Sequence, residues 1–309
     1  MALKTMAARG QTRAQTQEQR PGAGRIGAFL VFALLVFLTV FPFWWLLRTA
    51  FSTEKLIYTN TTSLWPVGFT FSNFARVLGL LTTQEAVALG GSGASIHFLL
   101  FMRNSFIVSA VIVVGQVFFG SMAAFAFARL HFPGRDTIFF IFLMALMVPG
   151  VVTLIPNFVL IRQLNWLDTF QGIVAPTFLM TPFAIFFLRQ FFLGINHEVE
   201  EAAKIDGAGY FKVYTSIVLP MGRSALSTLA VLTFLAEWND YFWPFLVGKS
   251  ESVRVLTAAL AIFKSQTPQG APDWGGLMAG TALSIAPILL LFIFAGRQIM
   301  DSIQFSGIK

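Results

Sequence analysis

The stretch EVEEAAKIDGAGYFKVYTSIVLP, Glu198 to Pro220, is a polar, acid-bearing interruption in a chain that is otherwise apolar almost from end to end. Its residues predict an ordered helix. Asn196 supplies a side-chain acceptor at the helix start, and Glu198, Glu200 and Glu201 place negative charge in the first turns, where the helix dipole favours it. Lys204 follows Glu200 by four residues, the favourable order for a helical ion pair. Val199, Ala202, Ala203 and Asp206 share one face, which is small, nearly flat and bordered by acids. Gly207 can end the helix with a positive φ. A second short run, Tyr210 to Ile217, then leads to Pro220 at the start of the next apolar segment.

The rest of the chain sets the context. With 56% hydrophobic residues, 11% charged and 36 phenylalanines in 309 residues, it carries more apolar side chain than a soluble domain needs, and a bilayer is expected. The absence of cysteine excludes disulfides and thiolate metal sites, and His97, His131 and His197 lie too far apart to suggest a ligand cluster. A net charge of +7 is spread thinly between apolar segments, which fits membrane topology and not nucleic-acid binding. Residues 1–25 are polar and basic, as in a disordered cytoplasmic tail. The apolar run that follows is longer than a signal-peptide core and has no small-residue cleavage site.

Six segments supply the roughly 20 apolar residues that a crossing needs: 26–47, 104–128, 137–161, 169–188, 224–247 and 274–296. Five contain no Asp, Glu, Lys or Arg, and the fifth contains only Glu237 and Asp240. The expected fold is an all-α membrane protein with six transmembrane helices. With both termini cytoplasmic, 13 of the 21 Lys and Arg fall inside and 8 outside, in longer loops, as the positive-inside rule asks. Pro149-Gly150 and Pro156 interrupt the third span, Pro176 and Pro182 the fourth, and Pro287 the sixth, a pattern of packing kinks or of a moving, pore-lining bundle. Gly115, Gly120 and the nearby Ser and Ala residues of the second span permit close helix contact.

Acids contribute little to membrane orientation, so topology does not call for those in 198–206. A helix lying on lipid headgroups is the plain alternative, but such helices carry Lys/Arg and bulky anchors, whereas acids and alanines suit a protein groove. Glu201 to Pro220 resembles the EAA loop of ATP-binding cassette (ABC) importer permeases, with Glu201, Ala202, Ala203, Gly207, Ile217, Leu219 and Pro220 at the motif positions. FTFSNFARVL (Phe69–Leu78), RNSFIVSAVIVV (Arg103–Val114), AFAFARLHFPGRD (Ala124–Asp136), LTFLAEWNDYFWPFLV (Leu232–Val247) and the final SGIK are similar to the carbohydrate-uptake branch, the maltose-type second permease.

The resemblance implies a type I ABC importer permease domain over 26–309, located in a bacterial or archaeal cytoplasmic (inner) membrane. It implies a second homologous permease subunit, two cytoplasmic ATPase subunits that hold ATP and Mg, and an extracytoplasmic solute-binding protein. The chain itself would bind no cofactor and catalyse nothing. Carried onto this sequence, Glu201, Ala202, Ala203, Asp206, Gly207 and Pro220 would couple the 196–220 loop to an ATPase. Two departures stand out: Asn196-His197 occupies a place where proline is usual, and Thr82 to Ser95 looks like an insertion.

The fifth span offers the substrate-path candidates. Glu237, Trp238, Asn239 and Tyr241, with Trp243, gather aromatic and amide chemistry of the kind that holds sugars. An interfacial aromatic belt is the plain alternative. An ion-coupled secondary transporter would need ionisable groups deep in the bundle, which five spans lack, and no catalytic set lies at membrane depth. The same architecture carrying a non-sugar solute stays open.

Overall fold

The computed structural model describes residues 23–93, 96–264 and 271–305, in which helices are joined by turns and loops, with no β-strand among the described residues. The expected tail at 1–25 therefore lies almost wholly outside them. Three helices are each long and apolar enough to cross a membrane, and up to six crossings result if each of three bent helix pairs is one span.

The chain divides into two units, Met1–Trp45 and Leu46–Lys309. The first holds most of helix α1 (Ala23–Ala50), in which the apolar side chains from 27 to 40 are all exposed. A helix that is hydrophobic all round needs lipid or a protein partner, not water.

The second unit is organised by one long helix. Short helices α2 (Glu54–Ile57), α3 (Ser72–Val77) and α4 (Thr83–Ala88) lead to α5 (Phe98–Arg129), whose 32 residues span about 48 Å. Around it lie α6 (Arg135–Ala145), α7 (Gly150–Gln163), α8 (Phe170–Phe178), α9 (Pro182–Leu193) and α10 (His197–Ile205). Then come α11 (Tyr210–Val213), a π-helical turn (Tyr214–Val218), α12 (Leu219–Met221), α13 (Arg223–Asn239), α14 (Phe242–Val247), α15 (Leu256–Leu260) and α16 (Trp274–Phe305).

Helix α5 packs against α8, α9, α13 and α15. Its glycines explain how closely. A Cβ at Gly115 would stand 2.1 Å from the Phe178 carbonyl oxygen, and one at Gly120 would stand 3.2 Å from Ala184 Cβ. At the Arg129 end, Ala124, Phe125, Ala128, Leu188, Phe192, Val213 and Leu229 form one core cluster. At the Phe98 end, Phe98, Phe101, Phe234, Trp238, Leu256 and Phe263 form another.

Several expected spans change shape. The second begins at Phe98, six residues earlier than 104, so Arg103 sits within it; Arg162 likewise lies in α7 and not in a loop. The third is two helices at 98° with the break before Pro149. The fourth bends by 42° where Thr181 caps α9 and Pro182 opens it. Pro156, Pro176 and Pro287 lie inside helices, so only the prolines that sit at a helix start coincide with breaks.

The fifth span differs most. It is not one helix over 224–247: α13 ends at Asn239, Asp240 is extended, and α14 restarts at Phe242. Nor does it start at Pro220, since the chain turns by 75° at Gly222 between α12 and α13. A Cβ there would lie 2.8 Å from the Phe192 ring and 2.9 Å from the Val218 carbonyl oxygen. The sixth helix runs past 296 to Phe305.

Candidate functional site

Helix α10 forms where the sequence predicts it. Asn196 has extended backbone geometry, and its Oδ1 accepts from the Glu198 amide at 3.0 Å, which satisfies one of the free N–H groups of the first turn. Asp206 closes the helix, and Gly207 follows at φ +83°, a conformation in which a Cβ is strained.

One expectation is overturned. Glu200 does not pair with Lys204; it turns inward and accepts from Arg129 Nε at 2.6 Å, with both side chains 2% exposed. Arg129 also donates Nη2–H to the Ile195 carbonyl at 2.9 Å, and its Nη1 lies 3.3 Å from His197 Nε2. Lys204 instead places its ammonium 5.1 Å from the centroid of the Tyr210 ring. In a dry site the attraction between a guanidinium and a carboxylate exceeds that of an exposed helical pair, which is why Glu200 goes to Arg129.

Outward, α10 and its sequel present Val199, Glu201, Ala202, Ile205, Asp206 and Phe211. Ile205 is 87% exposed and Phe211 74%. Uncovered apolar side chains set among carboxylates make a surface that a basic-rimmed protein groove would cover. Ala203 packs inward on the cluster at the Arg129 end of α5, so it supports the helix from beneath. Pro220 is exposed inside α12, before the 75° turn. The π-helical turn is held to α5 by a 2.8 Å hydrogen bond between the Tyr214 and Ser121 hydroxyls and by contact of the Tyr214 ring with Phe125 at 5.2 Å.

Residues 116–303 match the family described as binding-protein-dependent transport system inner membrane component. The chain belongs to that family. The permease is 32% identical over 280 residues to the arabinooligosaccharides transport system permease protein AraQ of Halalkalibacterium halodurans, covering 90% of this chain and 94% of the relative. It is 34% identical over 219 residues to the sn-glycerol-3-phosphate transport system permease protein UgpE of Yersinia enterocolitica, covering 69% and 76%. Its fold is similar to a chain in the crystal structure of a bacterial ABC transporter involved in the import of the acidic polysaccharide alginate. There the TM-score is 0.73 at 21% identity, with 89% of this chain and 96% of that one covered. The relatives are transport permease subunits and not catalysts, and membership makes this chain a membrane component of ABC transport. It also sets aside the ion-coupled transporter.

The substrate-path candidates separate in the permease. Trp238 is 3% exposed, stacks on Phe234 at 5.4 Å and donates Nε1–H to the Ser284 carbonyl at 3.2 Å. It is a core residue and has no free face for a sugar. Asn239 is exposed, though its Nδ2 donates to the Leu235 carbonyl of its own helix at 2.7 Å. Tyr241 is exposed and stacks on Phe245 at 5.3 Å, while Glu237 is half-buried. Trp243 Nε1–H is taken by the Ile173 carbonyl at 3.1 Å.

At the far end of α5 from Arg129 sits a buried polar knot that the sequence did not disclose. Asp273 Oδ1 accepts from the Gly276 amide, and Glu54 accepts from the amides of Trp274 and Gly275 at 3.1 and 2.7 Å, so two carboxylates cap the start of α16. Arg76 lies between them. It donates to Asp273 at 2.5 and 3.0 Å and to Asn73 at 2.7 Å, and Asn73 in turn donates to the Ala50 and Ser52 carbonyls. Burial, and then the Asp273 charge, raise Glu54 to about 7. For Asp273 burial also acts upward, but the hydrogen bonds and charge of Arg76 outweigh it and hold the group below the usual carboxylate range. The available signal was Asn73 and Arg76 within FTFSNFARVL, polar residues spaced three apart on one helix face.

Proposed function

We propose that this chain is the permease subunit of an ATP-driven, binding-protein-dependent importer of a sugar or sugar derivative, and that α10 is the surface through which it receives work from an ATPase. One observation carries the reading. Helix α10 is tied to α5 from one side by the buried Arg129–Glu200 pair, and on the other it offers uncovered Val199, Ala202 and Ile205 among Glu198, Glu201 and Asp206.

In this reading Glu201, Ala202, Asp206 and Gly207 meet the ATPase, Ala203 and Pro220 shape the support, and both termini lie in the cytoplasm with α10. A second homologous permease, two ATPase subunits holding ATP and Mg, and an extracytoplasmic binding protein complete the machine. Two states, open to one side or the other, are then biased by nucleotide at one end and by the loaded binding protein at the other. The exposed apolar surface of α1, Met147, Val151 and Ile155 is assigned to lipid and to the second permease.

The sugar reading is supported by the arabinooligosaccharide relative and by the fold of the alginate importer, whose transporter is also known in complex with an alginate pentasaccharide-bound periplasmic protein. The glycerol-3-phosphate relatives favour a second reading, a small phosphorylated polyol. The test is to purify the assembled complex and measure ATP hydrolysis with its binding protein and a panel of arabinooligosaccharides, other sugars and sn-glycerol-3-phosphate. Stimulation by a sugar supports the first reading, and stimulation by glycerol-3-phosphate alone supports the second.

A further inference from the structure

Of the nine residues of α10, the one with a buried side chain is charged. Glu200 is 1% exposed, whereas Glu198, Val199, Glu201, Ala202, Lys204 and Ile205 are exposed. A nine-residue helix does not hold its place by local propensity, and this one has almost no apolar face in contact with the bundle. Its seat is the guanidinium of Arg129, the last residue of α5.

We propose that the Arg129–Glu200 pair is the positioning strut through which movement of α10 reaches α5. The proposal rests on the coupling reading above and names the link by which a force on α10 enters the bundle. Three observations carry it. First, the guanidinium is engaged on three sides by one segment: Nε on Glu200, Nη2 on the Ile195 carbonyl and Nη1 beside His197. A flat fork held at three points fixes orientation as well as distance, which apolar contact does not do. Second, a buried ion pair is seldom more stable than a well-packed apolar pair of similar volume, so its physical value here is register. Third, α5 is the helix against which α8, α9, α13 and α15 pack, so a displacement delivered at residue 129 is felt by all four. The Tyr214–Ser121 hydrogen bond and the Tyr214–Phe125 ring contact also tie the loop to α5, but both lie beyond Gly207 and Gly209, where the backbone between them and α10 can bend.

The test uses the full chain assembled with its partner permease and ATPases. Because the chain has no cysteine, nitroxide labels can be placed at Lys204→Cys on α10 and Phe118→Cys on α5, both exposed, in partners freed of cysteine. Pulsed electron resonance then reads their separation without nucleotide and with ATP plus vanadate. With the strut intact, one narrow distance is expected in both conditions. In the double variant Arg129→Met with Glu200→Leu, no charge is left unpaired in the interior, and the distance should broaden or move by ~5 Å, about one helical turn's rise, on nucleotide trapping. The same narrow, unmoved distance in the double variant overturns the strut, as does a shift in the parent pair. Should the double variant fail to assemble, Arg129→Lys carries the test: it keeps the charge and gives up the fork, so a broadened distance supports the proposal and a parental width overturns it. A photocross-linker at Ile205 separates the two levels. No adduct with the ATPase removes the coupling reading; an adduct together with a narrow, unmoved label distance in the double variant removes only the strut.

Discussion

Arg76 and Asp273, 197 positions apart in the chain, meet at 2.5 Å with side chains 3% and 0% exposed, and so fasten α3 to the start of α16. Removing one partner leaves a buried charge. Asp273→Asn should therefore cost about 3–5 kcal/mol and sharply reduce the yield of folded permease, whereas Arg76→Met paired with Asp273→Asn should recover much of it. Thermal unfolding of the detergent-solubilised complex checks both.

The same knot predicts a pH dependence. Glu54 is raised to about 7 in the folded chain from an ordinary value of 4.5, so between those values the folded state holds a proton that the unfolded state has released. Stability should fall as pH rises through that window, by roughly 1.4 kcal/mol per unit at most, and level off above 7. Asp273 acts the other way at lower pH, because its depressed value gives stability that is lost as the solution is acidified through it. Unfolding midpoints between pH 5 and 8 should decline for the parent chain and stay nearly flat for Glu54→Gln.

Helix approach at Gly115 admits no side chain. Gly115→Ala would drive a methyl group against the Phe178 carbonyl, and overpacking of this kind typically costs about 1–3 kcal/mol. Gly150→Ala, with nothing within 4 Å of its Cβ, should be silent by the same unfolding measurement.

Trp238 and Tyr241 should respond differently to truncation. Trp238→Ala empties a core position and should cost about 3–5 kcal/mol, with loss of folded protein. Tyr241→Ala removes an exposed ring and should leave the unfolding midpoint nearly unchanged.

The sequence was most legible where local chemistry decides the outcome. Asn196 as cap, Gly207 as stop and Gly115 as contact point follow from short-range sterics and hydrogen bonding, and the structure has all three. It was least legible where a side chain chooses among distant partners. Spacing alone pairs Glu200 with Lys204, and nothing in that spacing discloses Arg129, 71 positions away. Trp238 looked like a sugar platform from its neighbours Glu237 and Asn239, yet helical rotation turns it into the core while they face outward or sit half-buried. The breaks in the spans were half legible: Pro149 and Pro182 mark two of them, but the 75° turn at Gly222 depends on close approach to Phe192, a contact outside local sequence.

The central claim is that α10 is where an ATPase grips this permease. Ile205 is the most direct probe, since it is 87% exposed at the last turn of α10. A photoreactive amino acid placed there, in cells making the whole importer, should give a covalent adduct of permease and ATPase on illumination. Gly207→Asp, which has room for its side chain but strains the turn and adds charge, should abolish that adduct while the permease still inserts. Absence of any ATPase adduct at Ile205, with normal transport in Gly207→Asp, would contradict the account.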